Sequence, residues 1–204
     1  MGVFVKICGI TNPEDAVAVA ALRPDAMGFV FWSRSKRAVV AEGIADWVRD
    51  LPEDILKVGV FVDEPLSSVR HTAEIVGLDV VQCHGGESAS FCGDLEGQVW
   101  KALHLDRTDF SSVDAYPVDA FLVDSYSSAS PGGTGQTSDW QVAQQFMACT
   151  EKPVLLAGGL TPDNVVEAIR FVRPWGVDVS SGVEREPGRK ELEKVRRFID
   201  ACRS

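Results

Sequence analysis

The sequence predicts an α/β fold, a single-domain (β/α)8 TIM barrel spanning residues 1–204. Three observations carry that expectation: eight short apolar runs rich in Val, Ile and Phe, helical patterns between most of them, and polar residues at the runs' C-terminal ends. The runs fall at 3–8, 26–31, 57–62, 79–83, 98–103, 120–123, 153–157 and 177–180. Nearly continuous apolar runs suit strands buried on both faces, as in an all-parallel sheet. Eight strand and helix repeats favour closure into a barrel over an open sheet.

The intervening segments supply the helices. After the first run, Pro13 stands at a first-turn position with Glu14 and Asp15 beside it and Asn12 as N-cap, predicting a helix over 13–22. Residues 65–76 and 162–172 repeat that design from Pro65 and Pro162. The final segment, 189–202, sets Leu192, Val195, Phe198 and Ile199 at helical spacing, as on a surface helix. Between the fifth and sixth runs, residues 106–119 are polar and carry Pro117, so the fifth helix is expected to be shortened or missing. Residues 125–137 are too rich in Ser, Gly and Pro for an ordinary connection, and so long a loop belongs at the active-site mouth.

Composition narrows the function. The chain lacks the roughly 18 to 20 continuous apolar residues of a membrane helix, and its N-terminus has no export-signal pattern, so a cytoplasmic protein is expected. Its five scattered cysteines match neither a disulfide framework nor a zinc site, and His71, His84 and His104 do not assemble a metal site by position. A formal net charge of −10 repels nucleic acid and anionic membrane, so an anionic ligand has to be captured by local donors. The oligomeric state, monomer or homodimer, is not readable.

In a barrel of this kind the chemistry sits at the C-terminal ends of the strands. At the seventh and eighth ends, Gly158 and Gly159 lie before Leu160-Thr161-Pro162, and Ser180, Ser181 and Gly182 stand opposite. The glycines let a ligand approach backbone N–H groups and a helix start, which predicts a phosphate site; the bland alternative is a tight turn with locally satisfied hydroxyls. Ser33-Arg34-Ser35-Lys36-Arg37, after the second run, is either a second anion site or a solvated basic loop. Cys8 and Asp124 end the first and sixth runs and are acid/base candidates on opposite sides of the mouth. Taken alone, Cys8 reads as a small buried hydrophobe before it reads as a catalyst, and Asp124 reads equally as a loop cap. Gln82 and His84 line the pocket or bond to loop backbone, while Cys83 between them points the other way.

In order, the segments Lys6-Ile7-Cys8-Gly9-Ile10-Thr11, Gly28-Phe29-Val30-Phe31 with Ser35-Lys36-Arg37, and Val58 to Asp63 resemble the phosphoribosylanthranilate isomerases of tryptophan biosynthesis. So do Val81-Gln82-Cys83-His84-Gly85, Gly132-Gly133-Thr134-Gly135, Leu156-Ala157-Gly158-Gly159-Leu160 and Gly176 to Glu184. The resemblance covers essentially the whole chain, including the shortened fifth helix. It implies a cofactor-free Amadori rearrangement of a small phosphoribosyl substrate. It implies Cys8 as general base at ribose C2, Asp124 as general acid at the ring oxygen, and Arg37 as partner of the anthranilate carboxylate. Gln82, His84 and Asp178 would complete the substrate contacts, with phosphate against Gly158, Gly159, Ser180, Ser181 and Gly182. Cys83, where the family more often has an aliphatic residue, and the additional Arg34 are departures remote from the proton transfers. Alternatives are the related histidine-pathway isomerase, a dual-substrate relative, or a noncatalytic phosphosugar binder. Against the histidine-pathway reading stands Cys8 in place of a first-strand Asp.

Overall fold

The computed structural model describes residues 2–104, 113, 115–124 and 136–204, the side chains of 136–139 excepted. Eight parallel strands close a barrel in sequence order: β1 (Phe4–Cys8), β2 (Ala26–Val30), β3 (Leu56–Phe61), β4 (Val80–Cys83), β5 (Gln98–His104), β6 (Ala120–Asp124), β7 (Val154–Ala157) and β8 (Gly176–Val179). The apolar runs therefore sit where expected, to within a residue at every end. Among the described residues seven α-helices accompany them: α1 (Pro13–Ala20), α2 (Ala41–Arg49), α3 (Leu66–Val76), α4 (Ala89–Gly93), α5 (Gln136–Met147), α6 (Val165–Val172) and α7 (Leu192–Arg203).

Strand alternation divides the core in two. Inward residues, among them Ala26, Val58, Val80, Trp100, Leu122 and Leu155, fill the barrel, while a larger outer layer packs strands against helices. Cys83 belongs to the outer layer, so it faces away from the barrel interior as alternation predicts. The Asn12 side chain accepts from Asp15 N, making the expected N-cap of α1.

Three helix starts differ from expectation. Pro162 lies in a turn and α6 begins at Val165, because Asn164 Oδ1 accepts from Thr161 N at 2.8 Å and closes that turn first. The last helix begins at Leu192, which is 39% exposed; before it, β9 (Glu184–Glu186) and β10 (Arg189–Lys190) form a small antiparallel hairpin. Helix α5 takes in Gln136 and Thr137, the end of the expected long loop, whose residues 125–135 lie outside the described residues. The same holds for most of 106–119; its described part, 115–119, carries no α-helix. Among the described residues no helix is long and apolar enough to cross a membrane.

Candidate active site

At the C-terminal end of the barrel a cavity of about 610 Å³ opens, within the range of roughly 300–1,000 Å³ usual for small-molecule sites. Cys8, Arg37, His84, Asp124, Gly158, Gly159, Asp178, Ser180 and Ser181 all line it. Inward alternation brings them there: Asp124 is in register with His104 on β5 and Ala157 on β7, and Lys6, two residues before Cys8, with Asp178 on β8.

Cys8 sits on a cationic floor. Lys6 is fully buried and its Nζ donates to Asp178 Oδ1 at 2.9 Å. Lys190 Nζ, equally buried, donates to Cys8 O at 2.6 Å, to Glu184 Oε1 at 3.0 Å and to Ser180 O at 3.3 Å. Burial pushes the Cys8 thiol above its ordinary range and Asp178 adds to that; Lys6 and Lys190 pull the other way without winning. Burial alone would lower Lys6, but Asp178 and Cys8 outweigh it and keep the ammonium charged. Gly28 makes room for the sulfur: a Cβ there would stand 2.7 Å from Cys8 Sγ.

His84 is held neutral, pushed down to about 3 by burial and then by the neighbouring Lys6, His104 and Lys101. Gln82 Nε2 lies 2.9 Å from His84 Nδ1. An amide nitrogen only donates, so Nδ1 accepts and the imidazole proton sits on Nε2. Gln82 itself is fully buried and does not line the cavity, which corrects its expected contact with substrate. It orients His84 instead, and its Oε1 is buried without a hydrogen-bond partner among the described residues.

Gly158 and Gly159 adopt φ of 90° and 65°, a left-handed pair that side chains rarely tolerate. A Cβ on Gly159 would meet nothing within 4 Å, so space opens directly above that backbone. The turn is braced from behind, where Asn164 Nδ2 donates to Gly159 O at 3.0 Å. The Thr161–Asn164 turn separates Gly159 from α6, so the helix end does not follow the glycines directly. Opposite, Ser180 Oγ is buried without a hydrogen-bond partner among the described residues. Gly182 stands behind the wall and does not line the cavity. Its missing side chain is required by packing, since a Cβ would fall 1.9 Å from Leu160 O.

Of the basic loop, Arg34 and Lys36 are exposed while Arg37 folds inward across Gly9, where a Cβ would come within 2.5 Å of Arg37 Cδ. The guanidinium is already engaged: Nε donates to Glu184 Oε1 at 2.8 Å and Nη2 to Glu184 Oε2 at 2.6 Å. Lys6, Lys190 and Glu184 carried no assigned role in the sequence. The signal available was charge inside apolar strand runs, Lys6 above all, because an ammonium is buried only where it finds a partner. Among the described residues no group of three or more His, Cys, Asp or Glu side chains is placed to hold a metal ion.

The family model of N-(5'-phosphoribosyl)anthranilate (PRA) isomerase matches residues 5–201. The N-(5'-phosphoribosyl)anthranilate isomerase of Pelobacter propionicus is 47% identical over 196 residues, covering 96% of this chain and 93% of that protein. The crystal structure of phosphoribosyl anthranilate isomerase from Thermotoga maritima superimposes with a TM-score of 0.89 at 37% identity, covering 98% of each chain. A phosphoribosyl anthranilate isomerase in complex with reduced 1-(o-carboxyphenylamino)-1-deoxyribulose 5-phosphate superimposes with a TM-score of 0.86 at 35% identity, again over 98% of each. On a match of this extent, in sequence and in backbone alike, the chain belongs to the N-(5'-phosphoribosyl)anthranilate isomerase family.

Proposed function

We propose that the chain, acting in the cytoplasm as one domain, isomerises N-(5-phosphoribosyl)anthranilate to 1-(2-carboxyphenylamino)-1-deoxyribulose 5-phosphate in tryptophan biosynthesis. One observation carries the residue assignment: Cys8 and Asp124, from β1 and β6, face a single cavity together with the turns after β7 and β8. The phosphate rests against Gly158, Gly159, Ser180 and Ser181, the aryl carboxylate against Arg37, and the ribose lies between. Asp124, protonated, gives its proton to the ring oxygen as the C1–O bond breaks and the nitrogen lone pair forms the C1=N bond. The Cys8 thiolate then takes the C2 proton, the C–H pair becomes the C1=C2 bond, and nitrogen regains its lone pair. Loss of the C2 hydroxyl proton and protonation of C1 complete the amino ketone. C2 is oxidised and C1 reduced within one molecule.

The cationic floor supports the role of Cys8. A buried thiol yields little thiolate, yet the thiolate it yields is a strong base, and Lys6 and Lys190 are placed to hold it. The neutral His84 offers an Nε2–H donor to a substrate oxygen. The test follows the loss of fluorescence of the anthranilate ribotide with purified protein. Turnover is expected; none would contradict the assignment, and comparable turnover of the histidine-pathway aminoimidazole-carboxamide ribotide would replace it with a dual-substrate activity.

A further inference from the structure

The cavity's only inward-folded arginine among the described residues is not a bare cation. Glu184 occupies one whole edge of the Arg37 guanidinium, the Nε and Nη2 side, through two hydrogen bonds of 2.8 and 2.6 Å. A guanidinium has five N–H bonds in one plane, so the edge formed by Nη1 and the outer Nη2 hydrogen is left for a second carboxylate. Among the described residues Arg37 makes no other side-chain hydrogen bond. Glu184 is itself clamped: its Oε1 accepts from Lys190 Nζ at 3.0 Å and from Gly188 N at 3.3 Å, and its backbone carbonyl accepts from Lys194 Nζ at 3.0 Å. Its side chain is 4% exposed, against 22% for Arg37.

We propose that Glu184 is a positioning residue for aryl-carboxylate recognition: by taking one edge of Arg37 it fixes the plane and direction of the edge that the substrate carboxylate meets. The proposal rests on the assignment of Arg37 as carboxylate partner. A long, half-buried arginine would otherwise sample several rotamers and lose that freedom on binding. With Glu184 in place the rotamer is chosen before substrate arrives. The charge balance fits the same role, since Arg37 and Lys190 against Glu184 leave one net positive charge for one incoming carboxylate. The hairpin of β9 and β10 thereby connects the carboxylate receptor to the backbone of Cys8 and Ser180, because the same Lys190 ammonium also holds both of those carbonyls.

The experiment compares N-(5-phosphoribosyl)anthranilate with N-(5-phosphoribosyl)aniline, which lacks the carboxylate, in wild type, Glu184→Gln, Glu184→Asp, Arg37→Ala and the Arg37→Ala/Glu184→Gln double variant. The expected result is a preference for the carboxylated substrate in kcat/KM that shrinks about tenfold in both Glu184 variants. It should arise mainly from KM, with kcat for the aniline ribotide little changed. Arg37→Ala should abolish the preference, and the double variant should be no worse than Arg37→Ala alone. Parallel losses on both substrates, preference intact, would overturn the proposal and leave Glu184 a purely structural brace. Should Glu184→Gln not fold, the shorter Glu184→Asp, which keeps the charge but withdraws it, decides the matter by the same ratio. A wild-type enzyme without preference, or Arg37→Ala that retains it, would instead remove the Arg37 assignment itself.

Discussion

At the N-terminal end of the barrel, polar groups are paired off before any ligand arrives; at the C-terminal end the same strands leave some of theirs open. Asp25, Asp79 and Asp119 each precede an even-numbered strand, and each carboxylate accepts the N–H of a residue near the start of the strand before it: Val5, Lys57 and Val99, at 2.7, 2.7 and 2.8 Å. The backbone N–H of each aspartate returns a bond to the same residue's carbonyl. Above these clamps Phe4 stacks on Trp175 and meets Trp100 edge-on, which closes the barrel with aromatic surface. The other end buries Lys6 and Lys190 beneath a thiol and leaves Ser180 Oγ and Gln82 Oε1 without hydrogen-bond partners among the described residues. One end spends its polar groups on holding strands together, the other on a ligand, as the division of labour in this fold requires.

Substitutions can break that comparison. The largest stability effect is expected from Trp100→Ala, which removes a buried ring from the interior of the barrel. It should lose about 3–5 kcal/mol in denaturant unfolding while KM for the folded fraction stays near wild type. An equal loss of substrate affinity would show that the two ends are not separable. Asp119→Ala orphans the Val99 N–H and should lose about 1–3 kcal/mol, again without changing kcat. A smaller and purely local effect concerns pH. Because burial holds the Cys8 thiol above its ordinary range, its thiolate fraction keeps growing where an exposed thiol has already ionised. In a Cys149→Ser background, which removes the exposed cysteine, alkylation of Cys8 by iodoacetamide should still accelerate above about pH 8.5. A plateau below that pH would mean that Lys6 and Lys190 outweigh burial.

Much of the frame was legible because its signals are local. Apolar runs marked all eight strands, and the residues at their ends named most of the cavity wall, Cys8, Asp124, Arg37 and the Gly158-Gly159 turn included. The ion-pair layer beneath was not legible. Lys6 pairs with Asp178 across 172 positions and Arg37 with Glu184 across 147, distances at which a single sequence carries no periodicity to read. The hairpin of β9 and β10 escaped for another reason: strands of three and two charged residues have no alternation, and their pattern continues smoothly into the final helix. Gly182 illustrates a packing demand that the motif alone does not disclose. A glycine beside two serines suggested a ligand, and the backbone of Leu160 independently excludes a side chain there.

The central claim, that Cys8 and Asp124 move the protons while the phosphate turns and Arg37 only hold the substrate, is tested most directly by kinetics and product binding of Cys8→Ala and Asp124→Asn. Each should lower kcat by about 10²–10⁴-fold and leave the Kd of the reaction product within about threefold of wild type. Near-normal kcat in either variant would contradict the account, as would a loss of product affinity as large as the loss of rate.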